Sequence, residues 1–257
     1  MMDSTPKQDS RRERQDNWAG PVDKLNVDGV PAGAVNLNVA GRQVTTAMQG
    51  FGQMWQKTYR IRMDGSAVTP REVIKVWKAE FSSFWPQGNR FYGKSGPIQP
   101  GDVAVLNLAG PGGLTAPGGA PMISTGILVI YADDESFSFL TPEGHMFAGM
   151  NTFSAYEENG ATVAQIQALI RASDPLYELT FRLGLGHKME DTFWLQTLRN
   201  LAARFGAAGA PSLSKVCVDS RVQWAEAGNI WQNAAVRTSF YTMAAPFRWI
   251  GRKLRGK

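Results

Sequence analysis

The chain has 257 residues and a net charge of +5, with 43% hydrophobic residues that include eight Trp and thirteen Phe, enough apolar material for a sizeable core. The charge is unevenly placed: Arg237, Arg248, Arg252, Lys253, Arg255 and Lys257 give residues 237–257 a charge of +6 with no acid, which leaves the other 236 residues at −1. A near-neutral body offers no field for phosphates, so no nucleic-acid partner is expected.

Residues 1–16 are polar, with a charge run at Arg11, Arg12, Glu13 and Arg14, and are expected to form a disordered tail. No apolar h-region follows these charges, and no window reaches eighteen consecutive apolar residues, so neither a secretory signal nor a membrane span is expected. Residues 17–54 are rich in Gly, Asn and Val, and Val35, Leu37 and Val39 alternate with polar neighbours, which predicts an extended arm. Residues 55–206 read as the folded domain and 207–257 as a C-terminal extension.

The domain opens on a strand, because Lys57, Tyr59, Ile61 and Met63 alternate with Thr58, Arg60 and Arg62, one face buried and one wet. Thr69-Pro70-Arg71-Glu72 then carries a capping box with proline at the first helical position. Val73, Val76, Trp77, Phe81 and Phe84 follow at helical spacing up to Pro86, giving two short helices or one bent one. Strand-like segments follow at 90–94, 102–108, 123–133, 136–141, 146–157 and 162–172, with turn signals between them. The Gly/Pro-rich stretch 110–121 predicts a mobile rim, and Asp133-Asp134-Glu135 a solvated hairpin turn.

Asp174 as N-cap and Pro175 as first residue start a closing helix of roughly thirty residues, with Leu176, Leu179 and Leu183 on its inner face. Gly184-Leu185-Gly186 bends or breaks it before Met189, Phe193, Trp194, Leu198, Leu201 and Phe205 resume the stripe.

In their order, these elements resemble the helix-grip superfamily that includes START lipid-transfer domains, the birch-pollen allergen and polyketide cyclases, often abbreviated SRPBCC. Phe137-Ser138-Phe139-Leu140-Thr141-Pro142-Glu143-Gly144-His145, then Gly149, Phe153 and Arg171-Ala172-Ser173-Asp174-Pro175, are similar to a bacterial and plant domain family of unknown function with that fold. The resemblance covers roughly residues 55–206. It implies an α+β, START-like fold: a curved antiparallel sheet of about six to seven strands around a long C-terminal helix, with two short helices after the first strand. It also implies a cavity between sheet and helix for a hydrophobic small molecule or lipid, with cyclase or dehydratase chemistry in a minority of relatives.

For such chemistry the candidates are His145 and Glu143, a carboxylate–imidazole pair at a turn, although a Gly-His turn capping its own hairpin explains the same residues. His187 reads as a helix-surface histidine, and Cys217, the only cysteine, as an inert thiol in a chain that needs no oxidising compartment; a cytoplasmic location follows. No metal-ligand spacing occurs, and no cofactor is expected. Asn107, Thr125, Asn151, Phe153, Leu183, Met189 and Phe193 are the candidate ligand contacts in the cup. A scaffold with an inert cup is the alternative, marked by Phe139, Phe153 and Trp194 filling the interior.

In the last segment, Phe240, Met243, Phe247, Ile250 and Leu254 lie on one side of a helical wheel, with Arg237, Arg248, Arg252 and Arg255 on the other and Lys253 next to Arg252. Such a stripe suits an anionic membrane surface, as a peripheral contact, or a protein partner, or the domain's own body. Trp224 and Trp231 mark a second amphipathic stretch just upstream.

Overall fold

The structure, a computed structural model, describes residues 16–27, 29 and 33–245. Among these, nine strands form one antiparallel sheet: β1 Val44–Thr45, β2 Met54–Arg62, β3 Arg90–Tyr92, β4 Val103–Leu108, β5 Ile123–Ala132, β6 Ser136–Pro142, β7 Phe147–Glu158, β8 Ala161–Ala172 and β9 Ser212–Asp219. The helices are α1 Pro70–Ala79, α2 Pro175–Arg182, α3 Leu185–Arg204 and α4 Ala234–Met243, with 3-10 helices at Phe81–Phe84 and Trp224–Gln232. The strands run in the order β3-β4-β5-β6-β7-β8-β2-β9, and β1 pairs with β6. A strand, two short helices, an antiparallel meander and a long helix against the inner face make this the helix-grip arrangement.

Local chemistry explains the elements. α1 starts on the predicted capping box, Thr69 accepting from the Glu72 amide and Glu72 reaching back to the Thr69 amide at 2.8 Å. In each long strand alternate residues face inward, so that Tyr59, Ile61, Phe137, Phe139, Phe153 and Ile166 meet in one buried cluster with Trp77 of α1 and Trp194 and Leu198 of α3. The outer face is closed by the chain's own flanks. Leu25 and Val39 are buried against Val105 and Leu128, and a Cβ on Gly126 would come within 2.7 Å of Val39. On the same face α4 packs over β5, with the Ser124 amide donating to Thr238 Oγ1 at 2.9 Å.

Three expectations change. The sheet is wider than six to seven strands, because β9 pairs with β2 beyond residue 206, and β1 adds a short pairing. β9 escapes a periodicity reading because its inward side carries Leu213, Lys215 and Cys217, while Val216 points to solvent and is 58% exposed. The closing segment is two helices, one of the two forms that the Gly184-Leu185-Gly186 break allowed. Gly184 takes φ 77°, and a Cβ on Gly186 would lie 2.9 Å from the Phe181 ring, so the Gly-Leu-Gly stretch turns the chain over that ring. Its first half also presents the opposite face: Tyr177, Glu178 and Phe181 are buried, and Leu176, Leu179 and Leu183 are exposed. Finally, the Gly/Pro-rich stretch lies against the turn after Phe84, where a Cβ on Gly88 would come within 3.0 Å of the Gly113 carbonyl.

Candidate functional site

The cup between sheet and long helix is filled. Phe153 stacks on Phe137 at 4.7 Å and meets Phe139 at 5.0 Å, Phe81 at 5.3 Å, and Trp77 and Trp194 at 5.4 Å. Period-2 placement of Phe137, Phe139 and Phe153 on adjacent strands brings these rings together. Edge-to-face contacts dominate, as ring quadrupoles favour.

Open space remains at the far end, beyond the last ring. A cavity of about 220 Å³ lies under Phe81 against the inner faces of β4 and β5, lined by Phe91, Ile98, Ala104 and Val129. Lys78, Lys94 and Asp102 also line it. Lys78 Nζ donates to the Asp133 carbonyl at 2.5 Å, whereas Lys94 Nζ lies 3.5 Å from Asp102 and its side chain is 57% exposed. The covering segment is Gly93–Ile98, between β3 and β4, rather than the Gly/Pro-rich stretch 110–121.

At the other end, where α3 crosses β2 and β9, the cup holds charge. Lys57, on the buried face of β2 and fully buried, donates to Glu190 at 2.5 Å and to Asp191 at 2.7 Å. Tyr59 OH donates to Asp191 at 2.8 Å, and Lys215 of β9 stands 3.7 Å from Asp191. One buried lysine thus serves two carboxylates. Burial pushes the Glu190 carboxyl up to about 7, against the pull of Lys57, with Asp191 adding to the rise. Burial, then the Glu190 and Asp191 charges, also hold the Tyr59 hydroxyl well above its ordinary range. His187 sits between Trp55 and Phe181, at 4.9 and 4.8 Å, rather than on the helix surface. Burial and then Lys57 lower its pKa to about 4, so the ring is neutral near pH 7. The alternation of β2 did place Lys57 on the buried face; its partners, on the helix, sit at positions that helical spacing alone did not single out.

The raised Glu190 has a sign. A carboxyl with a raised folded-state pKa contributes stability that is fully present below its ordinary value and lost as pH rises through the folded value. The buried histidines titrate in the opposite sense, but between pH 4 and 6.5. Between pH 6.5 and 8, stability should therefore fall by about 1 kcal/mol through Glu190. Urea unfolding at both pH values checks this, and a Glu190→Gln variant that keeps the same decline would contradict it.

The structure separates the sequence candidates. His145 is buried, accepting from the Phe147 amide at 3.0 Å, and Glu143 accepts from the Gln43 amide at 3.3 Å. They serve different backbone partners, and burial lowers His145 to about 4, so they form no acid–base pair in the cup. Gly144 takes φ 80°, and a Cβ there would overlap the Gln232 carbonyl at 2.0 Å. The Gly-His motif therefore serves the hairpin. Asn107 points outward and binds Val35 of the arm, accepting at 2.9 Å and donating at 3.0 Å. Thr125 and Asn151 do face inward, and Thr125 Oγ1 and Asn151 Oδ1 are buried without a hydrogen-bond partner among the described residues. Phe153 is core. Leu183 is 65% and Met189 36% exposed, so neither lines the cup, and Phe193 packs on Trp85 at 5.1 Å.

Asp174, read from sequence as a helix cap, caps the Leu176 and Tyr177 amides at 2.8 and 3.0 Å and also accepts from Asn233 at 2.8 Å, tying α2 to α4. Of the C-terminal contact candidates, Phe240 is 66% exposed; Phe247, Arg248, Ile250, Arg252, Lys253, Leu254 and Arg255 lie outside the described residues. Among the described residues no helix is long and apolar enough to cross a membrane.

The sequence matches no protein-family model and no curated protein. Among solved structures, the chain is similar to the ginseng (Panax ginseng) major latex-like protein 151, at 13% identity over 60% of this chain and 99% of that one, TM-score 0.39. It is also similar to the di-domain ARO/CYC StfQ from the steffimycin biosynthetic pathway, at 10% identity over 60% of this chain and 51% of that one, TM-score 0.44. A third structure, a protein from Mycobacterium smegmatis, is 16% identical over 59% of this chain and 91% of that one, TM-score 0.37. At these values the likenesses carry no argument; the fold rests on the strand order and registers above.

Proposed function

We propose that this helix-grip domain binds a small, mostly apolar molecule carrying an anionic group, in the cavity at the β3–β5 end of its cup. The observation that carries the reading is that cavity: about 220 Å³ and open to solvent on one side, with Phe81, Phe91, Ile98, Ala104 and Val129 in its lining alongside the polar Lys78, Ser82, Lys94 and Asp102. A dry cavity of about 150 Å³ holds benzene, so this one suits a ligand of one or two rings. A sterol or diacyl lipid needs a larger space, in the range of several hundred Å³. Lys94 meets Asp102 only at 3.5 Å, which leaves its ammonium free to turn to a ligand carboxylate. The titratable groups of the lining are Lys78, Lys94 and Asp102, without the histidine or paired acids that cyclase or dehydratase chemistry uses, so the reading is a binding protein.

The test is uptake of 1-naphthoate by the native protein, followed by calorimetry. Saturable binding is expected, lost in Ile98→Trp, which fills the cavity. Lys94→Ala should weaken naphthoate by about fivefold to tenfold, the scale of an ion pair near 1 kcal/mol, and leave neutral 1-naphthalenemethanol unchanged. No saturable binding, or equal binding in correctly folded Ile98→Trp, removes the proposal.

The filled inner cup favours a second reading, a non-catalytic scaffold, because Phe139, Phe153 and Trp194 occupy the space between sheet and helix. In either case the C-terminal segment serves as a contact arm. Trp224 and Trp231, 75% and 85% exposed, support this.

A further inference from the structure

We infer that β9 is an interaction edge that pairs antiparallel with β9 of a second copy of this chain, about a two-fold axis at Cys217. β9 ends the strand order, with β2 on one side and no strand on the other. Its eight residues exceed the three of β3 at the opposite end of the sheet. Among the described residues, no backbone hydrogen bond joins residues 212–219 to any element except β2. Beyond Asp219 the chain turns back toward β8, where Arg171 donates to the Arg221 carbonyl at 2.9 Å, so this flank leaves the edge open. A row of alternating N–H and C=O groups is matched in spacing by another extended backbone.

The side chains of the edge favour such a partner. Val216 and Val218 are 58% and 51% exposed, and Val218 has no counterpart on β2, because the register shifts there. Val216 lies in one row with Gln56 of β2 and Leu169 of β8, which is 39% exposed. The arm and α4 cover the outer face over β4 and β5 and leave this row to solvent. Edge strands are ordinarily guarded by proline or by outward charge. β9 contains no proline, and its charges are engaged within the chain: Lys215 stands 3.7 Å from Asp191, and Asp219 accepts from Arg171 at 2.6 Å and Arg221 at 3.0 Å.

The order of residues in β9 selects the occupant and the register. Opposed residues of an antiparallel pair share a face, so a strand pairs with its own copy about one residue that faces itself. A centre at Lys215 sets two lysines against each other, which is unfavourable. A centre at Val216 sets Ser214 against Val218. A centre at Cys217 sets Val216 against Val218 of the second copy at two places, and brings Lys215 level with the copy's Asp219. With its charges engaged internally, the edge has little to select an acidic or basic foreign peptide, whereas its own sequence matches itself. Cys217, the only cysteine and a free thiol, then lies at the two-fold. Opposed Cα atoms there are about 4.5–5.5 Å apart, a separation that a disulfide spans.

The experiment is sedimentation of the reduced full chain from about 1 to 200 μM, a range suited to an interface of modest area. A monomer–dimer equilibrium is expected. Val216→Lys with Val218→Lys should weaken the dimer about tenfold or more, because like charges then oppose each other across the pair. The melting curve of the dilute monomer should not change, since both side chains are exposed. With oxidised glutathione the native dimer should become disulfide-linked through Cys217: two thiols give up two protons and two electrons, and one glutathione disulfide leaves as two glutathione thiols. The double-lysine variant should lack the link, and Cys217→Ser should keep the non-covalent dimer. A chain that stays monomeric overturns the inference, whether its β9 edge takes up a synthetic strand peptide, which would mark a foreign partner, or shows amides already protected from exchange by the chain's own tail. A dimer that survives the lysine pair forms elsewhere, and one that the lysine pair breaks but that never links through Cys217 has another register; each also overturns it.

Discussion

Lys57→Met should destabilise the fold by about 3–5 kcal/mol, the usual cost of removing one partner from a buried ion pair, and lower the melting temperature by on the order of 10 °C. The cause is the charge left behind. Lys57 is fully buried and bonds Glu190 at 2.5 Å and Asp191 at 2.7 Å, so the variant strands two carboxylates with Tyr59 and the more distant Lys215. Because Glu190 already titrates near 7, the variant can neutralise it by taking up a proton, and its deficit should be smaller at pH 5.5 than at pH 8. Adding Glu190→Leu to Lys57→Met should recover more than half of the loss, since a buried ion pair is often replaceable by apolar groups. Denaturant unfolding of both variants at the two pH values measures this. A single-variant loss below about 1 kcal/mol would mean that the pair is hydrated and not part of the core.

Phe153→Ala is the second large effect, about 3–5 kcal/mol, as for other buried aromatic truncations. Phe153 is fully buried and touches five rings at 4.7–5.4 Å, on β6, α1, the following 3-10 helix and α3. None of these elements can move in without disturbing the others, so the cavity should stay open. The variant should then bind benzene or xenon in the middle of the cup, which the native chain excludes. Thermal unfolding with and without benzene separates the outcomes: a loss under 1 kcal/mol with no ligand-dependent shift would mean that the cup collapses and is less tightly filled than its ring contacts indicate.

Much of the architecture was legible because its signals are local. Thr69 and Glu72 cap α1, Asp174 and Pro175 start α2, and the alternation in β2 and β5–β8 sets which residues face inward. Local signals failed where a tertiary neighbour reversed the meaning of a pattern. Leu176, Leu179 and Leu183 form a better apolar stripe than Tyr177 and Phe181, yet the latter are buried, because Phe147, Ile170 and Trp55 offer them a surface. β9 was missed since its inner side carries Lys215 and Cys217, and the lysine is tolerated there because it is part-exposed and stands near Asp191. His145 illustrates the reverse case. Its conspicuous motif reflects a tight turn against Gln232 and a backbone hydrogen bond, not chemistry.

The amino-acid sequence by itself determined the class of fold and the faces of its main strands, since capping, turn chemistry and two-residue periodicity act within a few residues of chain. It also determined that positive charge collects after residue 236. Only the tertiary structure decided what the cup contains. Whether inward-facing rings enclose a space or fill it depends on residues far apart in sequence, here Trp77, Phe81, Phe139, Phe153 and Trp194, meeting at one point. The same holds for the charges: Lys57 and Glu190 are 133 positions apart, and only the crossing of α3 over β2 makes them partners.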